Sequence, residues 1–347
     1  ADVMMRLMHC QRGSQHTLEQ RIREQIQNMA EQLCDGFCAL EQIKTIAVVG
    51  NTTMCHIFLG QDTSGLAGSP FCPAYRGIYR CKGSDIALQE MKDTDVIVPA
   101  GIDAHVGADA VSMICALQLP ETKETILAVD IGTNAEIALS CKREISVCSA
   151  PAGPAFEGAQ ISQGMRGEPG AIAGMHIARQ SGNILLEVIP DDRRNVYPVR
   201  GICGSGLIDS IASLRQSGIL QPDGYLLCNP EEADRLGIPG YLRERITEKG
   251  FLVYLDPGGQ QVCLTQKDIR QFQLAKAAVQ AGIRMLLEQK GLALQQVDRI
   301  YIAGVFGGHI SKKSAVLTGL FPDIAPEKLV IAGNAAGEGA ARALLSE

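Results

Sequence analysis

Residues Thr125 to Leu139 read TILAVDIGTNAEIAL, and the fold turns on this stretch. Ile126 to Val129 is an apolar run of the kind found in buried strands. Asp130 ends it. Ile131-Gly132-Thr133-Asn134 suits a tight hairpin, and Ala135 to Leu139 resumes as a second strand. A carboxylate at the tip of a buried strand, followed by glycine and threonine, can do two jobs. The amides and the hydroxyl can hold phosphate oxygens, and the carboxylate can hold a metal-bound water. On these residues alone an ordinary Asp-Gly turn explains the stretch equally well.

The 347 residues exceed what one ordinary core needs, so two domains are expected, with the boundary at Pro120 to Glu124. Apolar content near half, with frequent glycine, fits an α/β protein. The net charge of −6 gives no reason to propose nucleic acid or a membrane surface as partner. The chain has no run of about 18 apolar residues, the length a membrane span requires. Asp2, Arg6 and His9 break any signal-peptide core, and a cytoplasmic location is expected. The 12 cysteines show no C-x-x-C spacing, and Cys34 and Cys38 are the closest pair. They are read as reduced, mostly buried thiols.

In chain order, residues 1–12 read as the end of a helix. Thr17 can cap a second helix running to about Leu40, with Leu18, Ile22, Ile26, Met29 and Leu33 on its apolar face. Ile43 to Gly50 reads as a strand, Asn51 opens a helix that stops at Gly60, and Asp62 to Lys92 reads as a long irregular connection. Asp95 to Ala100 is a strand and Gly101 to Leu117 a helix. Residues 221–264 resemble an inserted subdomain. Thr265 and Asp268 form a capping box before a long helix with Ile269, Phe272, Val279, Ile283 and Leu287 on one face.

The two halves repeat. Val48 to Asn51 matches Ile302 to Val305, each a strand, a glycine and a helix start. VPAGIDAHVGADA at Val98 to Ala110 matches VIAGNAAGEGAARA at Val330 to Ala343, with Gly101 and Gly107 answering Gly333 and Gly339. Two such matches in the same order indicate a duplicated α/β unit. Small residues there let paired helices approach closely, at a hinge between two lobes.

These elements resemble the superfamily of acetate and sugar kinases, heat-shock chaperones and actin. Closer still, GNTTMCHIFLG, SAPAGPAFEGAQI, GICGSGLIDSI, LTQKDIRQFQLAKAAV and YIAGVFGGHI resemble the ATPase domain of reductive activators of corrinoid proteins. The resemblance implies a duplicated ribonuclease-H-like, actin-like ATPase fold, with lobes at residues 1–120 and 121–347. It implies ATP and Mg²⁺ as ligands and a corrinoid protein as partner, returned from Co(II) to Co(I) for methyl transfer. The electron is implied to come from a [2Fe–2S] centre in an N-terminal domain that this chain does not contain. By symmetry the first lobe should begin with a β-hairpin carrying a first phosphate motif, and this chain instead starts with a helix. It is therefore read as a C-terminal fragment, inactive alone, with an incomplete sheet in its first lobe. A small-molecule kinase of the same fold, a nucleotide-dependent interaction module, and assembly as a homodimer remain open.

By the same resemblance, Asp130 would hold Mg²⁺ through water, and Gly132, Thr133 and Asn134 would line the phosphates. Gly304, Gly307 and Gly308 would let the backbone pass close to ribose and α-phosphate. Gly204, Ser205 and Gly206, at a helix N-terminus, could meet phosphate or ribose, or simply cap the helix. Gln273 and Lys276 share a helix face and could contact the nucleoside or water. Glu157 could orient the attacking water. His56, His105 and His309 are read as structural.

Overall fold

The computed structural model of the chain describes residues 3–178, 183–191, 198–304 and 310–345. It opens with α1 (Val3–His9), α2 (Gln15–Cys34), β1 (Thr45–Ala47), α3 (Thr52–Leu59), β2 (Tyr79–Lys82), β3 (Asp95–Val98) and α4 (Ala108–Ala116). The middle holds β4 (Ile126–Ile131), β5 (Ala135–Cys141), β6 (Glu144–Ala150), β7 (Ala171–Ile177), β8 (Ile184–Val188), β9 (Gly201–Ile202) and α5 (Gly204–Gln216). Then come α6 (Pro230–Arg235), α7 (Gly240–Arg243), β10 (Ile246–Thr247), β11 (Gly250–Leu255), β12 (Gln261–Leu264) and α8 (Gln266–Gln289). The chain closes with β13 (Arg299–Ala303), α9 (Lys312–Leu317), β14 (Leu329–Gly333) and α10 (Ala335–Leu345). Two compact units result. One comprises residues 1–128, 138–149 and 334–347, the other 129–137 and 150–333.

In the first unit β1, β3 and β2 form a three-stranded sheet, with β1 parallel and β2 antiparallel to the central β3. Its core gathers Phe58, Leu59, Leu88, Met91, Val96 and Val98, with Ile22, Ile26, Ala30 and Cys34 of α2 against it. These four form an i, i+4 row, which runs obliquely across a helix. That row corrects the expected apolar face, because Met29 and Leu33 point outward, at 53% and 78% exposure. Thr17 does not cap α2. The helix already runs at Gln15, Ser14 precedes it without a side-chain cap, and it ends at Cys34 rather than near Leu40. The stretch 62–92 is less irregular than its glycines and prolines suggest. It contains β2, whose Tyr79 and Cys81 pack on the core while Arg80 and Lys82 face out. A four-residue edge strand between turns leaves little periodicity to read.

Helix α3 follows its expected boundaries. Asn51 accepts the Met54 amide at its start, and Gly60, left-handed at φ +70°, ends it. The helix after Gly101 begins only at Ala108. Residues 101–107 form a tight turn instead, in which Ile102 and Asp103 both donate their amides to the Val106 carbonyl. Gly107 therefore sits before α4, whereas its sequence counterpart Gly339 lies inside α10. Both are close-approach positions. A Cβ at Gly107 would stand 2.6 Å from the Gly50 carbonyl oxygen, and one at Gly339 would overlap the Ser112 carbonyl oxygen. The latter shows α10 and α4 packed backbone to backbone, as paired small residues allow.

In the second unit β7 pairs antiparallel with β8 and parallel with β9. Residues 221–264 carry α6, α7 and the antiparallel sheet β10-β11-β12. Helix α8 starts at the capping box. The Thr265 amide donates to Asp268 Oδ2 at 2.8 Å, and the Ser162 amide donates to Oδ1 at 2.7 Å. The fully buried Asp268 carboxylate thus has both oxygens satisfied, which is what permits its burial. Ile269, Phe272, Val279, Ile283 and Leu287 form the buried face of α8, as their spacing requires.

Candidate functional site

The stretch that opened the analysis folds into β4, a turn and β5, within a five-stranded sheet of order β14-β13-β4-β5-β6. The turn is closed by the Gly132 amide, which donates to the Asn134 carbonyl at 2.9 Å. Asp130 lies in the last part of β4 and is half-buried, as are Gly132, Thr133 and Asn134. The apolar residues 126–129 anchor the strand, so the carboxylate is held at a rigid strand end.

Gly304 meets this end from β13. It takes φ +94°, and a Cβ there would stand 2.6 Å from Asp130 Oδ1 and 3.0 Å from the Ile131 carbonyl oxygen. A side chain is excluded on both counts. Its amide donates to the Gly333 carbonyl at 2.8 Å, which fixes the turn to the end of β14. Two motifs far apart in sequence thus converge on Asp130. Gly307, Gly308 and His309 lie outside the described residues.

Glu157 arrives from the loop after β6. The Gly153 amide donates to the Thr133 carbonyl at 2.8 Å, pinning that loop to the hairpin. Thr133 Oγ1 donates to Glu157 Oε1 at 2.7 Å, and a Cβ at Gly132 would be 3.9 Å from the same oxygen. Glu157 is exposed, so its carboxylate is available to solvent as well as to Thr133. Asp130, Thr133 and Glu157 thus offer two carboxylates and a hydroxyl beside a hairpin turn. Carboxylates beside a bare phosphate would repel it. A hard divalent cation between them reverses the sign, and oxygen donors of this kind suit Mg²⁺. The residues present therefore fit a cation–phosphate group. Among the described residues no cluster of three or more His, Cys, Asp or Glu side chains forms a metal site without such a ligand.

The other expected site residues are placed differently. Gly204, Ser205 and Gly206 begin α5 as foreseen, but all three are buried. A Cβ at Gly206 would overlap the Ile172 carbonyl oxygen of β7, and Ser205 Oγ lies 3.3 Å from Cys203 Sγ. This segment packs a helix onto a strand. Gln273 and Lys276 do share a face of α8, and that face is occupied. Arg270 donates to Gln273 Oε1 at 2.6 Å, and the Gln273 amide group fills the space beside Gly224. Lys276 Nζ donates to the Thr318 carbonyl at 2.8 Å, and burial pushes its ammonium pKa down. His56 is a structural residue, 1% exposed. Its Nδ1 faces the Thr52 carbonyl at 2.7 Å, its Nε2 accepts the Ala74 amide at 3.1 Å, and its ring stacks on Tyr75. That pattern sets the proton on Nδ1 and holds the ring neutral, and burial lowers its pKa.

One feature escaped sequence reading. A cavity of about 330 Å³ opens among β7, β8, α5 and α9, lined by His176, Glu187, Asp209, Ser311, Lys313 and Ser314 among others. Asp209 Oδ1 is buried there without a hydrogen-bond partner, and burial raises the pKa of the carboxyl. The lining comes from four separate elements, so no local pattern could announce it.

Similarity to known proteins gives the family. Residues 124–347 match the family model described as the C-terminal domain of RACo, the ASKHA domain, and residues 1–122 match the RACo middle region. The corrinoid activation enzyme RamQ of Eubacterium limosum is 32% identical over 359 residues, covering 100% of this chain and 58% of its own length. A Methanosarcina barkeri protein, "[Co(II) methylated amine-specific corrinoid protein] reductase", is 26% identical over 324 residues, covering 85% of this chain and 54% of its own. The solved structure of a "reductive activator for corrinoid,iron-sulfur protein" superposes with a TM-score of 0.86 at 32% identity, over 99% of this chain and 54% of that one. The chain spans about half the length of the relatives it matches. With an actin-like α/β fold and Asp130, Gly304 and Glu157 meeting at one hairpin, it belongs to the RACo family of reductive activators of corrinoid proteins, and residues 124–347 are its ASKHA domain.

Proposed function

We propose that this chain is the ATPase part of a protein that reactivates corrinoid proteins from Co(II) to Co(I), and that ATP with Mg²⁺ binds at the Asp130 hairpin. The meeting of Asp130, Thr133, Gly304 and Glu157 supports this most strongly. Asp130 would hold the cation through water, the amides of Thr133 and Asn134 would face phosphate oxygens beside Gly132, and Thr133 would keep Glu157 oriented toward the attacking water. Mg²⁺, when bound, supplies the charge that lets carboxylates and phosphates share the site. Gln273 and Lys276 spend their polar ends on neighbouring turns, so we assign the nucleoside to the cavity beside α9. Asp209 and Glu187 there suit ribose hydroxyls, which can donate to the unpartnered Oδ1.

Residues 1–120 and 121–347 are read as two lobes, with 221–264 inserted in the second. The electron would come from a [2Fe–2S] domain outside this chain, and the partner would be a Co(II) corrinoid protein. Shifting a two-state system from 1:99 to 99:1 takes roughly 5.5 kcal/mol of differential binding, equivalent to roughly 240 mV for one electron. Closure on ATP could supply that by presenting different surfaces to the corrinoid partner. The deciding experiment measures ATP turnover with and without Co(II) corrinoid protein, for the chain alone and for the chain joined to its electron-transfer domain. Stimulation only in the joined protein is expected. Tight Mg²⁺-dependent ATP binding and corrinoid reduction by residues 1–347 alone would refute the proposed dependence on an outside domain, and absence of any corrinoid effect would refute the function.

A further inference from the structure

Helix α2 ends on a pair of thiols. Cys34 is its last residue, and Cys38 follows one turn later, after Asp35, Gly36 and Phe37. The Cys38 amide donates to the Cys34 carbonyl at 3.1 Å, and the Phe37 amide donates to the same oxygen at 2.8 Å. Asp35 at ψ 120° and Gly36 at φ +77° turn the chain back on itself, so a tight non-helical turn joins the two cysteines. Both cysteines line the same cavity. The neighbouring Cys38 is the main cause raising the Cys34 pKa. Cys38 is exposed and Cys34 partly so.

The turn between them is free to adjust. Gly36 takes φ +77° with nothing near the place of a Cβ, and Phe37 is 89% exposed. A disulfide needs Cβ atoms about 3.5–4.5 Å apart. Cys34 rests on the core, so Cys38 is the thiol that moves, and the uncrowded Gly36 and exposed Phe37 let the turn adjust. Beyond it, Leu40 is buried in the core, so the change stays local. An open cavity of about 360 Å³ over both thiols, rimmed by Glu31, Asp35, Glu41 and Glu90, gives a small oxidant access.

The geometry points to Cys34 and Cys38 as a reversible dithiol–disulfide pair, with a low-molecular-weight disulfide such as glutathione disulfide as its oxidant. Cys38 is the more exposed of the two and supplies the attacking thiolate, its proton passing to water. Its sulfur attacks one sulfur of glutathione disulfide, the S–S bond breaks, and one glutathione thiolate leaves. Cys34 then loses its proton and attacks the Cys38 sulfur of the mixed disulfide, releasing the second glutathione. Two protein thiols and one disulfide become one protein disulfide and two glutathione thiols.

Trypsin cuts after Arg23 and Lys44, so both cysteines fall on one peptide, residues 24–44, that holds no other cysteine. The folded protein is incubated with glutathione disulfide, free thiols are alkylated, and the peptide is weighed. In the unaltered chain it should lose two hydrogens, resist alkylation and recover both properties with dithiothreitol. Cys34→Ser should instead accumulate a stable glutathione adduct on Cys38, because the resolving thiol is gone. Cys38→Ser should form neither product on this peptide at a comparable rate. The assignment is overturned by a stable Cys38 adduct in the unaltered chain or by disulfides joining separate molecules. It is also overturned if the folded peptide stays unmodified while Cys72 and Cys115, both exposed, acquire glutathione.

Discussion

Two glycine-and-hydroxyl segments in the second unit invite the same reading and stand in opposite surroundings. Gly132-Thr133-Asn134 turns a hairpin, stays half-exposed, and brings its hydroxyl to Glu157. Gly204-Ser205-Gly206 opens a helix, is buried, and lets α5 press on the Ile172 carbonyl of β7. Both follow a strand, and both have the small residues that phosphate sites favour. What separates them is the surface facing the glycine Cα. Open space beside a carboxylate leaves room for a ligand, whereas a strand backbone at contact distance leaves none.

Asp130→Asn is the strongest way to break that contrast. It keeps the shape and removes the charge, so in the protein joined to its electron-transfer domain ATP turnover should fall about 10²–10³-fold, the loss typical of one electrostatic group. Thermal unfolding should be nearly unchanged. Steady-state kinetics showing normal turnover would make the hairpin an ordinary turn. Gly206→Ala should do the reverse. Its methyl overlaps the Ile172 carbonyl, an overpacking cost of about 1–3 kcal/mol, with a Tm loss of about 2–4 °C per kcal/mol. Calorimetry should show ATP affinity per folded molecule unchanged. A lost nucleotide affinity at constant Tm would exchange the two roles.

His56 tests the same distinction in the first unit. Its pKa is lowered in the fold by burial, so below its unfolded value of about 6.5 the unfolded chain binds the extra proton. Stability is full above that value and is lost as pH falls toward the lowered folded pKa. His56→Gln should flatten this acid limb in denaturant titrations from pH 7 to 5, and an unchanged slope would assign the limb to other groups. The smallest effect is expected for Lys276→Met. It removes one partly buried hydrogen bond to the Thr318 carbonyl, worth about 0.5–1.5 kcal/mol, and should leave ATP affinity unaltered. A tenfold weaker affinity would return Lys276 to the nucleotide.

Much of the architecture was legible because the signals were local. The Asn51 cap and Gly60 stop bound α3, the Thr265–Asp268 box starts α8, and an apolar run marks β4. Legibility failed where the deciding partner is remote. Nothing near Gly101 shows that residues 101–107 curl into a turn before α4, since Gly107 must first meet Gly50. Strand β2 was hidden because its pairing with β3, rather than its own pattern, makes it a strand.

The sequence by itself determined the hairpin with Asp130 near the end of its first strand, the duplicated glycine spacing and the family to which both belong. Caps, breakers and apolar period act over a few residues, so they survive without a fold to refer to. Only the tertiary structure decided that Gly304 closes on Asp130, that Glu157 meets Thr133, and that Gln273 and Lys276 bond to Arg270 and to the Thr318 carbonyl. It also placed Asp209 with an unpaired oxygen in a cavity. A glycine or a carboxylate has the same intrinsic chemistry wherever it stands. What it faces depends on strands and helices brought in from elsewhere in the chain, and that is settled when long-range burial selects one packing.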